Sequence, residues 1–334
     1  MTKAYGSIRD VAKATGLSIA TISRVMNGNK SVSPKTRERV LTACEELDYL
    51  PNPAARALST SKSKTIAAII PTIGHSVFAK YVAAIENCLS EHGYSLVLAI
   101  SNSDPDEELV ATRKLLGMGA QAFILTGAVH NKMLLELLTR RDVPHVFTSI
   151  WDPQNSQPTI GYDNRGLATE AVNFLADKGH RYISVIHGST DESDRMLARV
   201  MGAKDAVRQN LRLTFHETEL SVAGGKAAVR ASLNQHAENT AILCFSDVLA
   251  LGAYFCLQDE GKKVAEDVSV MGFDNLDWSS DITPPLTTIN LPAAAMGREV
   301  ATQIIRFLEK GDGLNHHFLS AEIVERGSVK TIKH

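Results

Sequence analysis

The feature that most constrains this chain is a pair of short amphipathic helices predicted within residues 7–27. The first helix has Ser7 at its expected N-cap, Asp10 three residues later, and Gly16 as the left-handed residue that ends it. Its apolar positions recur at i, i+3, i+4 and i+7: Ile8, Val11, Ala12 and Thr15. The spacing predicts one buried helix face followed by a sharp turn.

A second helix, capped by Ser18, is predicted to have two faces of different chemistry. Its inward face consists of Ile22, Val25 and Met26. Ala20 and Arg24 fall on the opposite side, which is the side that a helix-turn-helix presents to the DNA major groove. A small helical hairpin without a DNA role has the same spacing, so this pattern alone leaves both interpretations open.

A third helix is predicted where Ser33 is followed by Pro34, because proline is favoured at the first position of a helix. Its apolar stripe consists of Val40, Ala43, Cys44 and Leu47.

The charge distribution favours the DNA interpretation. Through Lys64 the chain carries 11 Lys plus Arg against 5 Asp plus Glu, whereas the remainder carries 24 against 32. A basic head joined to an acidic body is typical of a phosphate-binding module attached to another domain.

Length and composition limit what the rest of the chain can be. With 334 residues, of which 44% are hydrophobic, the chain can form a large core and more than one domain. No apolar run approaches the roughly 18 residues of a membrane span, and residues 1–5 lack a signal-peptide core, so we expect a cytoplasmic protein without a membrane partner. The four cysteines have no metal-ligand spacing and are expected to be reduced core thiols: Cys44, Cys88, Cys244 and Cys256.

The segment 51–64 is predicted to be a domain boundary because it ends in a polar run of serine and lysine. It has room for one short helix through Leu58, but about seven residues are too few for a helix that is stable alone in water. We therefore expect such a helix to form only when something orders it. A plain flexible linker is the alternative.

From Thr65 onward, apolar runs alternate with amphipathic ones. Buried parallel strands are predicted at 66–70, 95–100, 122–125, 145–147, 183–186, 241–245 and 268–271, with one more near Phe215. Helices are predicted to begin near Phe78, Glu107, Asn131, Arg165, Met196, Gly225 and Val248. Two successive βα arrays predict an α/β fold with two doubly wound halves and a ligand cleft at the carboxyl ends of the strands.

Charged side chains cluster at the predicted ligand edge of these strands. Asp163, Asp247 and Asp274 each follow a predicted strand, and Arg199 lies in a helix on the same side. Such a set suits small ligands rich in hydroxyl or amide groups, through charge-assisted hydrogen bonds. Each residue taken singly can equally be a cap or turn residue.

Motifs for catalysis or cofactor binding are not evident. The segment 117–122 matches G-x-G-x-x-A, but it follows a helix and precedes a strand, the reverse of a dinucleotide site. His316 and His317 are adjacent, so on a strand they point to opposite faces, and a solvated loop or strand is expected rather than a metal pair. The sequence predicts no cofactor, no metal and no enzymatic activity, since an α/β enzyme would need a nucleophile or a cofactor loop at the cleft.

Seven ordered motifs resemble the lactose repressor/galactose repressor (LacI/GalR) family. They are IRDVA at 8–12, TISRV at 21–25, VSPKTR at 32–37, LDYLPN at 47–52, SDVLALG at 246–252, VSVMGFDN at 268–275 and PLTTI at 285–289. The resemblance implies a bacterial transcription regulator, usually a repressor, whose dimer binds a pseudo-palindromic operator in double-stranded DNA. It also implies a core similar to periplasmic sugar-binding proteins. A free sugar-binding protein would share that core but would need export and would have no use for a basic head.

The resemblance also assigns roles to residues of the head. Ile19, Ala20, Thr21 and Arg24 fall at DNA-contacting positions of the recognition helix, where Ile19 and Ala20 offer only apolar contacts, for example to a thymine methyl, and Arg24 can donate to guanine. Ile19 also lies near the core face of this helix, so packing in the core is the alternative role for this residue. The positions that match phosphate contacts are Asn27, Ser33 and Thr36. Arg56 and Leu58 match a hinge helix in which a leucine enters the minor groove.

In the core, the resemblance makes Arg199 and Asp274 ligand-binding residues, with Phe78 and Trp151 as stacking faces. The full set of expected effector residues is Phe78, Trp151, Asp163, Arg199, Ser246, Asp247 and Asp274. Ser246 and Ala293 depart from the family pattern, as does the loop 189–194. A sugar, sugar acid or polyol is the leading expectation for the effector, and a nucleobase or nucleoside is the alternative.

The predicted organisation is therefore a head (1–50), a hinge (51–64) and an effector core (65–334). The core would have one lobe at about 65–162 plus 290–319 and another at about 163–289 plus 320–334. The chain stops without the leucine heptads that some relatives append, so a homodimer is expected.

Overall fold

The computed structural model describes residues 6–26, 31–50, 63–74, 76–206 and 210–333, which form two compact units, Met1–Lys64 and Thr65–His334. The predictions for Asn27, Arg56 and Leu58, and for the short helix within the hinge, lie outside the described residues. In the part of the chain that is described, no helix is both long and apolar enough to cross a bilayer.

The first unit contains the three predicted helices: α1 (Ile8–Thr15), α2 (Ile19–Met26) and α3 (Pro34–Glu46). Ser7 and Asp10 form a reciprocal capping box at the start of α1, and Gly16 ends the helix at a φ of 63°. A positive φ favours glycine because it has no Cβ. The Ser18 hydroxyl accepts from the Thr21 backbone N–H, which confirms it as a cap of α2.

Six buried side chains from the three helices form the core of this unit: Val11, Ile22, Val25, Val40, Ala43 and Cys44. Ile8, Ala12, Met26 and Leu47 are partly buried against them. All three predicted apolar stripes therefore face inward. The opposite face of α2 remains in solvent.

The second unit begins with a βα array whose helices and strands follow the predicted order. It comprises β1 (Thr65–Ile70), α4 (Ser76–Glu91), β2 (Ser95–Ile100), α5 (Pro105–Gly117), β3 (Ala122–Thr126), α6 (Lys132–Arg140), β4 (His145–Thr148) and β5 (Thr159–Gly161). These strands form a parallel sheet in the order β11-β5-β4-β3-β1-β2, which β11 (His317–Phe318) completes. We call the part of the core built on this sheet the first lobe.

A second βα array forms the second lobe. It comprises α7 (Asn164–Asp177), β6 (Tyr182–His187), α8 (Asp194–Asp205), β7 (Arg212–Glu217), α9 (Val222–Gln235), β8 (Ala241–Cys244), α10 (Asp247–Asp259) and β9 (Ser269–Met271). Its sheet is parallel in the order β7-β6-β8-β9. A 3₁₀ helix, Asp277–Ser280, follows β9.

The remaining elements connect the two lobes. They are β10 (Thr288–Asn290), α11 (Ala293–Lys310), β11 and β12 (Glu322–Val324). Strands β10 and β12 pair antiparallel, and α11 packs against α4 in the first lobe. One continuous core cluster includes residues of both lobes, such as Ile124 and Leu243. Strand β11 joins the sheet of the first lobe after the chain has formed the second, so the chain passes between the lobes more than once, as in two-lobed binding proteins.

The elements predicted from the sequence did not include β10, β12 or α11, and β5 was expected only as a strand that precedes Asp163. Strands of two or three residues are too short to show a period, and their pairing depends on residues distant in sequence.

The adjacent histidines His316 and His317 have different environments, as expected for neighbouring residues at a strand. His317 is exposed on β11, while the Nδ1 atom of His316 accepts from the Thr159 backbone N–H at 3.1 Å.

Candidate functional site

The outward face of α2 carries the candidate DNA-contacting side chains. Ala20 and Arg24 are exposed, and the Ile19 side chain is 45% exposed despite its apolar character. Thr21 is partly buried, and its hydroxyl lies 2.9 Å from that of Ser18. Ile19 therefore presents apolar surface to solvent instead of completing the core, and a base edge with a methyl group would match that surface.

At the start of α3, Ser33 and Thr36 share one cap. The Ser33 hydroxyl accepts from the Thr36 backbone N–H at 3.2 Å and lies 2.8 Å from the Thr36 hydroxyl. Ser33 is exposed, so its hydroxyl and the positive end of α3 are available to an anion. This geometry is compatible with a phosphate contact.

In the second unit, a cavity with about 680 Å³ of empty space lies between the two lobes. Its lining comes from both lobes and from the connecting elements. The first lobe contributes Val77, Phe78, Tyr81 and Ser149, and α11, which packs against that lobe, contributes Ala293 and Met296. The second lobe contributes Ser193, Arg195, Met196, Arg199, Leu220, Phe245, Ser246 and Asp274, and Tyr162 and Leu291 complete the lining. The walls are mostly apolar and aromatic, with a few convergent polar groups. Small-molecule sites generally have this composition.

Arg199 lines this cavity and is anchored by two hydrogen bonds. Its side chain is only 7% exposed, its Nε donates to the Asn164 Oδ1 at 3.0 Å, and its Nη1 donates to the Phe245 carbonyl at 2.8 Å. The guanidinium carbon lies 3.9 Å from the centroid of the Phe273 ring. Burial lowers the pKa of Arg199, and its interactions with Tyr162 and Asp274 oppose that shift.

Close packing of α7 on α8 makes this anchoring possible. A Cβ at Gly202 would lie 2.0 Å from the Arg165 carbonyl oxygen, so only glycine lets the two helices approach this closely. The Thr169 hydroxyl also donates to the Gly202 carbonyl at 2.8 Å. As a result, Asn164 at the start of α7 reaches Arg199 on α8.

Asp274 is the carboxylate of the cavity. The Ser246 hydroxyl donates to its Oδ2 at 2.9 Å, and its backbone adopts a φ of 124°. Burial raises the pKa of Asp274 to about 7, although Arg199 and the Ser246 hydrogen bond act to lower it. Near neutral pH this carboxyl group can therefore both accept and donate hydrogen bonds, which suits a ligand with hydroxyl or amide groups.

Three predicted effector residues do not line the cavity. The Asp163 carboxylate accepts from the backbone N–H groups of Arg165 and Gly166, so it caps α7 and is exposed to solvent. The Trp151 ring packs instead against Phe318 at a centroid distance of 5.4 Å. The prediction of cleft-facing positions for Asp163 and Trp151 was wrong. A side chain near the end of a strand can also cap a helix, as Asp163 does, or pack against an edge strand, as Trp151 does.

Asp247, the third of these residues, is fully buried. Its carboxylate accepts from the Thr288 hydroxyl at 2.6 Å and from the Leu276 backbone N–H at 2.8 Å. Burial raises the pKa of Asp247, while these hydrogen bonds oppose the shift. Asp247 therefore connects β10 and the segment after β9 to α10 instead of facing the cavity.

Several residues that line the cavity were not predicted from the sequence, chiefly Tyr162, Ser193, Arg195 and Met296. Two of them had a usable signal. Arg195 precedes Arg199 by one helical turn and so shares its face, and Ser193 is the N-cap that begins that helix. Tyr162 and Met296 had none, because they come from different parts of the chain that only the fold brings together.

The fold and its cavity define a helix-turn-helix protein with a two-lobed ligand-binding core. Residues 7–52 match the model of the lacI family of bacterial regulatory proteins, and residues 63–320 match that of periplasmic binding proteins and the sugar-binding domain of the LacI family. The chain therefore belongs to the LacI family of DNA-binding transcription regulators. Members of this family are regulators rather than enzymes.

Three known proteins illustrate the similarity. Catabolite control protein A of Priestia megaterium is 31% identical over 91% of this chain and 93% of its own length. The transcriptional repressor CytR of Escherichia coli K12 is 30% identical over 98% of this chain and 97% of its own length. A crystal structure of the lac repressor dimer bound to operator and the anti-inducer ONPF has a TM-score of 0.87 at 26% identity, covering 98% of this chain and all of that one.

Proposed function

We propose that this protein is a repressor whose operator affinity is set by a small effector held in the cavity between the lobes. In this proposal, residues 1–50 read DNA, 51–64 couple the domains and 65–334 bind the effector and dimerise. The single observation that carries it is the buried Arg199 in a cavity whose walls come from both lobes. A ligand bound there contacts both lobes and so favours one angle between them.

Two contacts across the cleft support a lobe angle that can change. Lys80 of α4 lies 2.6 Å from the Asp277 carboxylate, and the Ala128 backbone N–H donates to the Asp194 Oδ2 at 2.6 Å. Both contacts join the first lobe to the second and lie at the surface or at a rim. An effector that favours or opposes them shifts the population of the closed core, and the hinge transmits that shift to the operator, with Leu58 as a minor-groove wedge.

The polar groups of the cavity favour a hydroxyl-rich effector: a sugar, a sugar acid or a polyol. Arg199, Asp274 and three serine hydroxyls supply donors and acceptors on several sides. A nucleobase or nucleoside is the second candidate, because Phe78 and Phe245 also line the cavity and offer aromatic surface.

The same proposal includes a homodimer, supported by an exposed apolar edge of the first lobe. Strand β2 is at the end of its sheet, with Leu98 38% and Ile100 42% exposed, and Val110 on the adjacent α5 is 65% exposed. Ile100→Glu should raise the dimer dissociation constant at least tenfold, because a charge buried in an apolar interface costs about 2 kcal/mol or more. Sedimentation equilibrium measures this. Phe318→Glu is the control, since Phe318 is 50% exposed on β11, at the opposite edge of the same sheet, and an equal effect of both variants would contradict the β2 interface.

The proposed function is tested by combining operator selection with an effector screen. Random DNA enriched on the purified protein should yield one pseudo-palindromic sequence. Sugars, sugar acids, polyols and nucleosides are then screened by thermal shift, where a compound at about 100 times its Kd should add about 2.7 kcal/mol of stability. We expect a compound from this screen to change operator affinity at least fivefold. Enrichment of no common sequence, or ligands that bind without changing operator affinity, would contradict the proposal.

A further inference from the structure

The inner cavity at Arg199 opens directly into a second, outer cavity of the same cleft. Four residues line both spaces and form the neck between them: Phe78, Ser193, Arg195 and Leu220. The neck thus has an aromatic ring and an aliphatic side chain beside a hydroxyl and a guanidinium. The two cavities are therefore neighbours in one cleft, and a ligand long enough to cross the neck would occupy both.

The outer cavity has a lining chemistry that differs from that of the inner one. Its wall is mainly hydroxyl, amide and carboxylate: Thr72, Asn102, Ser103, Ser189, Glu192, Glu217, Thr218 and Glu219. Apart from the neck, Pro71 is its one apolar lining residue among the described part of the chain. Such a wall offers many hydrogen bonds and little surface for a flat apolar ring, so it suits a polyhydroxylated group better than a nucleobase.

The charge of the outer cavity argues against an anionic group there. Three carboxylates line it, those of Glu192, Glu217 and Glu219, against the single cation of Arg195. The Arg195 Nη1 already donates to the Asp194 Oδ1 at 2.9 Å, so part of its charge is neutralised. A phosphate or carboxylate in the outer cavity would be repelled, whereas hydroxyl groups can donate to these carboxylates.

We propose that the effector has two linked units: a ring in the inner cavity, and a neutral, polyhydroxylated unit in the outer cavity. This proposal rests on the proposed function and narrows its effector to a disaccharide or a similar glycoside. The outer unit would contact Asn102 from the first lobe and Glu219 from the second. A two-unit ligand therefore holds the lobes together at two depths of the cleft, and a single ring does so at only one.

The test measures affinity of the full-length protein by isothermal titration calorimetry. The probes are glucose, galactose and ribose, and the disaccharides cellobiose, maltose, lactose and melibiose. We expect at least one disaccharide to bind tenfold or more tightly than each of its component sugars. Asn102→Ala and Glu219→Ala should each weaken that disaccharide at least fivefold and change the affinity of the monosaccharide by less than twofold.

Glu107→Ala is the matched control for Asn102→Ala. Asn102 donates to Glu107 at 2.9 Å, so the control breaks the same hydrogen bond without removing a side chain from the cavity, and it should leave disaccharide affinity unchanged. The proposal is overturned if no disaccharide binds, or if a single sugar binds as tightly as the disaccharides that contain it. It is also overturned if Asn102→Ala and Glu219→Ala leave the affinity for the disaccharide unchanged, or if they lower the affinities for the disaccharide and the monosaccharide equally. A disaccharide that meets the expectations but leaves operator affinity unchanged contradicts the regulatory function, not the two-unit effector.

Discussion

Arg199→Ala should abolish the response of operator binding to the effector while leaving operator binding itself intact. The guanidinium is buried, and truncating one partner of a buried, hydrogen-bonded charge typically costs about 2 to 5 kcal/mol of binding free energy. The head and its recognition helix are unchanged by this substitution. Operator titrations with and without the effector, on the wild type and the variant, measure the difference directly.

Loss of Arg199 also removes contacts that hold the core together, so two further variants separate binding from folding. Arg199→Met keeps an unbranched side chain over Phe273 but lacks the guanidinium, and it should fold and still fail to respond. Arg165→Ala removes an arginine that is 52% exposed and paired with Asp205, and it should respond normally. If Arg199→Met keeps the full effector response, Arg199 is a packing residue and the ligand does not depend on it.

Most of the fold could be predicted because its signals are local. The capping box of Ser7 and Asp10 and the left-handed Gly16 involve residues a few positions apart, so the sequence contains the whole interaction. Buried parallel strands such as β3 are continuous apolar runs for the same reason, since both faces are covered. The short strands β10 and β12 form only because distant segments pair, and no local pattern marks them.

The position of the cavity in the fold could be predicted from the sequence, but the residues that line it could be predicted only in part. The carboxyl ends of parallel strands meet at one edge, so a cleft there follows from topology. Three aspartates lie near that edge, but they take different roles. Asp163 caps a helix, Asp247 is buried and accepts a hydrogen bond from Thr288, and of the three only Asp274 lines the cavity. Which role each carboxylate takes depends on neighbouring backbone N–H groups and hydroxyls, and those neighbours are set by tertiary structure.

Arg24→Ala should weaken operator binding and broaden sequence preference at one base pair of each half-site. Ile19, Ala20 and Arg24 form the exposed face of α2, and Arg24 is the one whose side chain can donate hydrogen bonds to a base edge. A bidentate arginine–guanine contact contributes roughly 1 to 3 kcal/mol per half-site, so a symmetric dimer should lose about twice that. Fluorescence anisotropy on the selected operator, and on operators substituted at each position in turn, measures both effects.

The distinction between base contact and phosphate contact decides how this result is interpreted. Replacing a residue that contacts phosphate weakens binding to all DNA sequences alike, and replacing a cationic one also lowers the salt dependence of binding. Replacing a residue that reads a base changes the ranking of sequences instead. Ser33→Ala serves as the comparison, because Ser33 lies exposed at the start of α3 and we expect it to contact a phosphate. If Arg24→Ala weakens every operator variant by the same factor, as expected for Ser33→Ala, then Arg24 contacts the DNA backbone. Specificity must then come from Ile19, Ala20 and Thr21 or from the shape of the DNA.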